Sequence, residues 1–549
     1  MPTKLLIIGG VAGGATAAAR ARRLDEHAEI ILFERGEHIS FANCGLPYYI
    51  GQIIKERDDL FVTTPDAFKA RYNIDVRIFS EVTAIDRKNR QVTVKSLITG
   101  KTYRESYDKI ILSPGAEPIR PPLEGINSER IFNLRNVPDS DRIKAYTDSR
   151  KPASAVVVGA GFIGLEMAEN LVHRGIKTTV IEMLDQVMPP LDYEMAAIVQ
   201  AHLKAKGVVC EMGDGVKSFS EKGGRLFVST QKGKEIACDM AILSVGVKPE
   251  SRLAKEAGLE ISARGSIKAD ATMQTSDPNI YAVGDAVEVR DFVTGLPTMT
   301  ALAGPANKQG RIAADNALGR KSVFKGTLGT AVVKVFDLTV ASTGASEKTL
   351  KQNHIPYLAS YTHSNSHAAY YPGAAMMAIK LIFSPGNGKV LGAQIVGGDG
   401  VDKRIDVLAT AIRGAMTVYD LEELELAYAP PYGSAKDPVN IAGFVASNLL
   451  KHDVENINAQ ELRNLDRNEY ALIDLRNKEE LEEVGVMEGA VHIPLHELRK
   501  KLPELDKDKK YILFCAVGLR GYLGYRILAQ NGFTSRNLSG GYKTYVSEN

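Results

Sequence analysis

Apolar residues along the chain fall into short dense runs separated by stretches with helical spacing. Leu5–Gly9 is such a run. An Ala-rich segment from Gly13 to about Leu24 follows it, and then a second run, Glu29–Phe33. This order predicts strand, helix, strand: a βαβ unit. The pattern returns at Ala155–Gly159, Phe162–Arg174 and Lys177–Glu182. A further apolar strand, Asn279–Asp285, ends in Gly-Asp and precedes a helical stretch from about Ala301 to Leu318. The chain is therefore expected to return to its first unit after building the second. Residues 325–447 alternate strands and helices. The sequence turns polar near Lys451–Asn458, and residues 459–549 read as a compact α/β unit. In that unit Ala471–Leu475 and Tyr511–Phe514 are expected strands, Lys478–Val484 an acidic helix, and another helix starts at Arg520.

Composition narrows the function classes. A chain of 549 residues is too long for one core. A formal net charge of +2 gives no basic face for nucleic acid. No apolar run approaches the roughly 20 residues that cross a bilayer. Met1-Pro-Thr-Lys leads straight into the first strand, so a cytoplasmic protein without a leader is expected. The four cysteines, Cys44, Cys210, Cys238 and Cys515, form no CxxC, so no metal site is expected. In a reducing compartment each is either a packed side chain or a reactive thiol. Cys210 and Cys238 sit in strand-like surroundings and receive no role.

Each βαβ unit carries a glycine motif. Gly9-Gly-Val-Ala-Gly-Gly14 has Gly9 and Gly14 of GxGxxG but Val11 between them. It follows a strand and opens a helix, and Glu34, with Arg35 after it, ends the next strand. That is the setting for a pyrophosphate on helix amides and a ribose on a carboxylate. Gly159-Ala-Gly161-Phe-Ile-Gly164 is complete, and Glu182 ends its following strand. A carboxylate there accepts from a 2′-hydroxyl and repels a 2′-phosphate, which favours NADH over NADPH.

Ser113-Pro-Gly115-Ala and Val283-Gly284-Asp285-Ala, together with the first motif, resemble the FAD-binding pattern of the pyridine nucleotide–disulfide oxidoreductase family. The resemblance covers residues 1 to about 447. It implies two Rossmann-like domains: a discontinuous FAD domain (1–115 and 251–324, with Asp285 on the ribityl chain) and an NADH domain (116–250). An α+β dimerisation domain (325–447) would make a homodimer, and a linker (448–458) would lead to the last unit.

Dithiol members of that family carry two cysteines after the second strand, whereas Ser40-Phe-Ala-Asn43-Cys44-Gly-Leu-Pro-Tyr48 has one. The segment resembles the single-cysteine, coenzyme A disulfide reductase branch. The resemblance implies that Thr16, Arg20, Arg23, Ser40, Asn43, Arg71 and Lys436 contact coenzyme A, as substrate or bound carrier. Arginine suits its phosphates, although Arg20, Arg22 and Arg23 also suit a solvated helix face. One thiol implies a mixed disulfide or persulfide on Cys44. A helix start beside Cys44 is expected to lower the thiol's pKa. In the same branch a tyrosine pair from the partner subunit flanks the cysteine. Tyr370 and Tyr428 fit best, with Tyr371 and Tyr432 open, as proton donors or as interface packing.

Residues 459–549 resemble a rhodanese domain through Asp474-Leu-Arg476, Gly489–Pro494, Gly540-Gly-Tyr542 and the loop Cys515-Ala-Val-Gly-Leu-Arg520. Such a loop would ring the Cys515 sulfur with amides, and Arg520 would add charge. The fusion points to an NADH-driven persulfide or polysulfide reductase, including coenzyme A persulfide, with possible sulfurtransferase activity. Plain coenzyme A disulfide reductase shares every residue used before 447. An NADH oxidase cycling Cys44 through sulfenic acid and a redox-sensing or sulfur-carrying binding protein are the further alternatives.

Overall fold

The computed structural model describes residues 2–466 and 468–547. The fold is mixed α/β and forms two compact units: residues up to Asp185 with Gly207–Gly329, and Gln186–Lys206 with Thr330 onward.

The first unit holds two parallel five-stranded sheets. In one, Ile280–Ala282, Lys109–Leu112, Lys4–Ile8, Glu29–Phe33 and Asp75–Arg77 lie side by side. Leu5, Leu6 and Ile7 are buried, as a strand covered on both faces requires. Helix Gly13–Leu24 packs on helix Ala303–Ala317. A Cβ on Gly310 would overlap the Gly13 carbonyl, so the crossing needs glycine there. Ile280–Ala282 pairs with Lys109–Leu112 across some 170 residues of sequence, so the chain does return to its first sheet.

The other sheet runs Val209–Met212, Lys177–Glu182, Ser154–Val158, Met240–Leu243, Ile131–Asn133. Cys210 lies in its edge strand. Cys238 ends a strand of the adjoining antiparallel meander. Ala116–Pro118 pairs antiparallel with Val247–Pro249, where the chain leaves and re-enters the first sheet's neighbourhood.

The second unit contains an antiparallel sheet ordered Ala331–Val335, Leu338–Gly344, Val390–Gly397, Met376–Phe383, Leu358–Asn365. Helix Tyr193–Ala205 lies against this sheet. Asp192 holds it there: its carboxylate accepts from the Glu347 and Lys348 amides and pairs with buried Lys380 at 2.8 Å. A five-stranded parallel sheet completes the unit, ordered Asn456–Ile457, Thr534–Leu538, Lys510–Phe514, Tyr470–Asp474, Ala490–His492. Residues 456–457, expected as linker, thus form its edge strand.

Candidate active site

Both glycine motifs fold alike. Gly9 and Gly159 have φ of +99° and +101°, a region costly for other residues. A Cβ on either would overlap the carbonyl of Ser113 or Ser244, where the next strand passes beneath. A Cβ on Gly14 or Gly164 would overlap the Gly9 or Gly159 carbonyl. Glu34 accepts from Gly10 N and Gly36 N, each at 2.8 Å; Glu182 accepts from Ala160 N at 2.8 Å and Leu184 N at 3.0 Å. Each carboxylate is fixed at the turn where a ribose would meet it. Gly161 precedes the first turn of helix Phe162–His173, and the space a Cβ would fill there is open. Gly115, at φ +76°, is equally open. Arg35 is exposed and lies 3.6 Å from Glu250. Ser113 N donates to Ile8 O at 2.8 Å. Gly284 N donates to buried Gln309 at 2.7 Å, which sets the turn Gly284–Ala286 that carries Asp285. Burial pushes the Asp285 carboxyl above its ordinary value, against the pull of Arg135.

Cys44 lies in the single turn Asn43–Gly45, just before the five-residue helix Leu46–Ile50. The expected lowering of its pKa is not what this setting produces. The residue is exposed, but its sulfur is partly enclosed. Loss of solvent around it, followed by the carboxylates of Glu166 and Asp285, pushes the thiol up. The helix that was to lower it is little more than one turn, too short for much of a dipole. Tyr48, one turn beyond Cys44, donates to Glu166 Oε1 at 3.4 Å. Burial raises Glu166 to about 7, and Glu169 adds to the rise.

Of the residues expected at coenzyme A, Thr16 donates to Asn307 at 2.6 Å, and Arg20 pairs with Asp315 at 2.7 Å. Arg23, Asn43 and Arg71 are exposed; Ser40 is half-buried at φ +48°. Arg22, the third arginine of that helix, is buried and holds the carbonyls of Tyr72, Asn73, Asp25 and Glu26. It is a packing residue, which splits the basic helix face into different roles.

In the second unit the hydroxyls of Tyr370 and Tyr428 meet at 3.0 Å, although the residues are 76% and 48% exposed. Their hydrogen bond pushes Tyr370 above its ordinary value. Tyr371 instead stacks edge-on with buried His367, and Tyr432 is exposed. Lys436 is exposed beside buried Asp437.

Cys515 follows strand Lys510–Phe514 and is 1% exposed. Gly518, at φ +105°, turns its N–H onto the sulfur at 3.2 Å and starts helix Leu519–Gln530. Tyr542 N donates to the Cys515 carbonyl at 2.7 Å and Lys543 N to that of Ala516 at 2.9 Å, so the chain's end fixes the loop. Arg520 is held by both Glu480 oxygens at 2.6 Å each. Its charge is thus shared with a carboxylate rather than given wholly to the sulfur.

The family description "Pyridine nucleotide-disulphide oxidoreductase" matches residues 3–310. The chain belongs to that family. The dimerisation domain of this oxidoreductase family matches residues 330–437, and a rhodanese-like domain matches residues 458–548. Membership implies FAD and a nicotinamide nucleotide. The two glycine turns and half-buried Asp285 suit such groups. The chain is similar to the crystal structure of the reduced Bacillus anthracis protein CoADR-RHD (52% identity, TM-score 0.98, 100% of this chain and 98% of that one). It is also similar to an NAD-dependent persulfide reductase from A. fulgidus (39%, TM-score 0.93, 99% and 100%). The coenzyme A disulfide reductase of Staphylococcus haemolyticus is 39% identical over 447 residues, 81% of this chain and 100% of that one.

Four residues of this oxidoreductase escaped the sequence reading. Gln309 and Arg135 lie outside any motif. Tyr48 closes the quoted Cys44 segment, and Glu166 follows Gly164 by two positions. An acid near the start of the glycine-motif helix Phe162–His173 was the available signal.

Proposed function

We propose that the protein is an FAD-dependent NADH:persulfide reductase. Its substrate is coenzyme A persulfide or a related polysulfide, and Cys515 supplies the sulfane sulfur. One observation carries this reading: a lone thiol, Cys44, without a second cysteine beside it, shares a chain with an intact Cys515 loop. FAD would be held by Gly9, Gly14, Glu34, Arg35, Ser113, Gly115, Gly284 and Asp285. NADH would be held by Gly159, Gly161, Gly164 and Glu182, where the carboxylate disfavours a 2′-phosphate. When bound, the flavin supplies the route by which two electrons pass from nicotinamide to sulfur.

The residues of the chain do the rest. The Cys44 thiolate attacks the outer sulfur of R–S–SH, forms a Cys44 persulfide and releases R–S⁻. Two electrons then split that persulfide, Cys44–S–SH, into Cys44 thiolate and hydrosulfide. Tyr370 and Tyr428, from the partner subunit of a homodimer, donate the proton to the leaving thiolate. Thr16, Arg20, Arg23, Ser40, Asn43, Arg71 and Lys436 bind the coenzyme A portion. Glu166, half protonated near neutral pH, is a proton store beside Cys44. Cys515 receives sulfane sulfur under the Gly518 amide and hands it to coenzyme A.

The test is anaerobic NADH oxidation with coenzyme A persulfide and with coenzyme A disulfide. The reading expects the larger kcat/KM for the persulfide. A larger value for the disulfide would make the chain a coenzyme A disulfide reductase. NADH-matched oxygen uptake without a sulfur acceptor would make it an oxidase.

A further inference from the structure

One buried guanidinium ties together the two segments that carry the tyrosine pair. Arg404 lies in helix Val401–Arg413 and is 2% exposed. Its Nη2 donates to the Ser366 carbonyl and to Asp437 Oδ2, both at 2.8 Å. Its Nε reaches the same carboxylate at 3.2 Å, and Nη1 donates to Gly400 O at 3.2 Å. Ser366 opens the loop bearing Tyr370, and Asp437 closes the segment bearing Tyr428. A second tie runs directly between them, from Ala368 N to Gly433 O at 2.9 Å. Asp437 is itself fixed, accepting from Val439 N at 3.0 Å at the start of helix Pro438–Leu450.

The tyrosines above this clamp are exposed. Two phenols in water lose rotamer freedom when held in one geometry, and a single hydrogen bond offsets little of that loss. The backbone beneath must bring them together. We infer that Arg404 is a positioning residue: it holds the Tyr370 and Tyr428 loops in the register that joins the two hydroxyls. Planar donors on three sides make this possible. Lysine, a compact point charge, cannot reach the Ser366 carbonyl and the Asp437 carboxylate with the same fork. The inference rests on the reading that the tyrosine pair donates the proton.

The test uses full-length holoenzyme and coenzyme A persulfide. Arg404→Lys should lower kcat about tenfold, since a small misplacement of a catalytic group costs that much or more. Flavin reduction by NADH in a single mixing should stay within about twofold, because it precedes any use of the tyrosines. Tyr428 is the titratable group facing the Tyr370 hydroxyl. Without it Tyr370 ionises at lower pH, so the alkaline limb of kcat should move down in Arg404→Lys as it does in Tyr428→Phe. The double variant Arg404→Lys with Tyr370→Phe should be no slower than Tyr370→Phe alone. An unmoved limb, or effects that multiply, would overturn the inference. If Tyr370→Phe and Tyr428→Phe both leave turnover unchanged, the tyrosine reading itself fails. If they slow turnover and Arg404→Lys does not, only the positioning role fails. Should Arg404→Lys not fold, Asp437→Asn, which keeps the shape of the clamp, is read the same way. If neither folds, Arg404 is a folding residue and the inference is wrong.

Discussion

Cys44 and Cys515 are both free thiols, set in opposite ways. Cys44 is exposed on a short turn, and loss of solvent around its sulfur, then nearby carboxylates, oppose its ionisation. Cys515 is buried, receives an amide hydrogen bond and lies beside an arginine already committed to Glu480. A turn at the surface is open to a large sulfur-bearing ligand. A closed loop carries its own stabilisation and needs only to accept and release one sulfur. The difference predicts a division of labour, reduction at Cys44 and delivery at Cys515.

Removing either sulfur tests the division most severely. Cys44→Ser should lower NADH-dependent sulfur reduction by about 10³-fold or more while the protein stays yellow. Cys515→Ser should leave reduction of preformed coenzyme A persulfide within about twofold. Gly541→Ala attacks the closed loop alone. At φ +65°, with the new Cβ 2.5 Å from the Cys515 carbonyl, it should destabilise the last domain by about 1–3 kcal/mol, read as an earlier melting step. Sulfur transfer should fall with it, and Cys44 turnover should not. Glu480→Gln leaves Arg520 without its anionic partner. The pair is about a third exposed, so a change in sulfur transfer of roughly tenfold at most is expected in donor-to-thiol assays.

The smallest effect concerns Cys44. Glu166 is protonated below about pH 7 and charged above it, where it disfavours the neighbouring thiolate. Glu166→Gln should therefore speed alkylation of the reduced enzyme by about two- to fivefold above pH 7. Below pH 7 it should change little. Faster alkylation at low pH only would reverse the sign of this account.

The contrast between the thiols explains which parts were legible in the sequence. The Cys515 loop and both glycine turns are local: five or six residues set their own backbone, and Gly9, Gly159 and Gly518 adopt conformations that other residues resist. Asp285, Tyr370 and Tyr428 were read from resemblance. The structure adds what local pattern cannot hold, namely contacts between distant residues. Arg520 is neutralised by a residue 40 positions away, Arg20 by one 295 away, and Cys44 is pushed up by burial of its sulfur and then by Glu166 and Asp285. Arg404 escaped for the same reason, since its partners Ser366 and Asp437 meet only after folding.

The most direct measurement follows NADH consumption and hydrosulfide release together, without oxygen, with an inorganic sulfane-sulfur donor and catalytic coenzyme A. The account predicts one hydrosulfide per NADH in the wild type, lost in both Cys44→Ser and Cys515→Ser. With preformed coenzyme A persulfide, only Cys44→Ser should lose it. If Cys515→Ser fails equally with preformed persulfide, or Cys44→Ser continues to release hydrosulfide at the expense of NADH, the division of labour between the two thiols is contradicted.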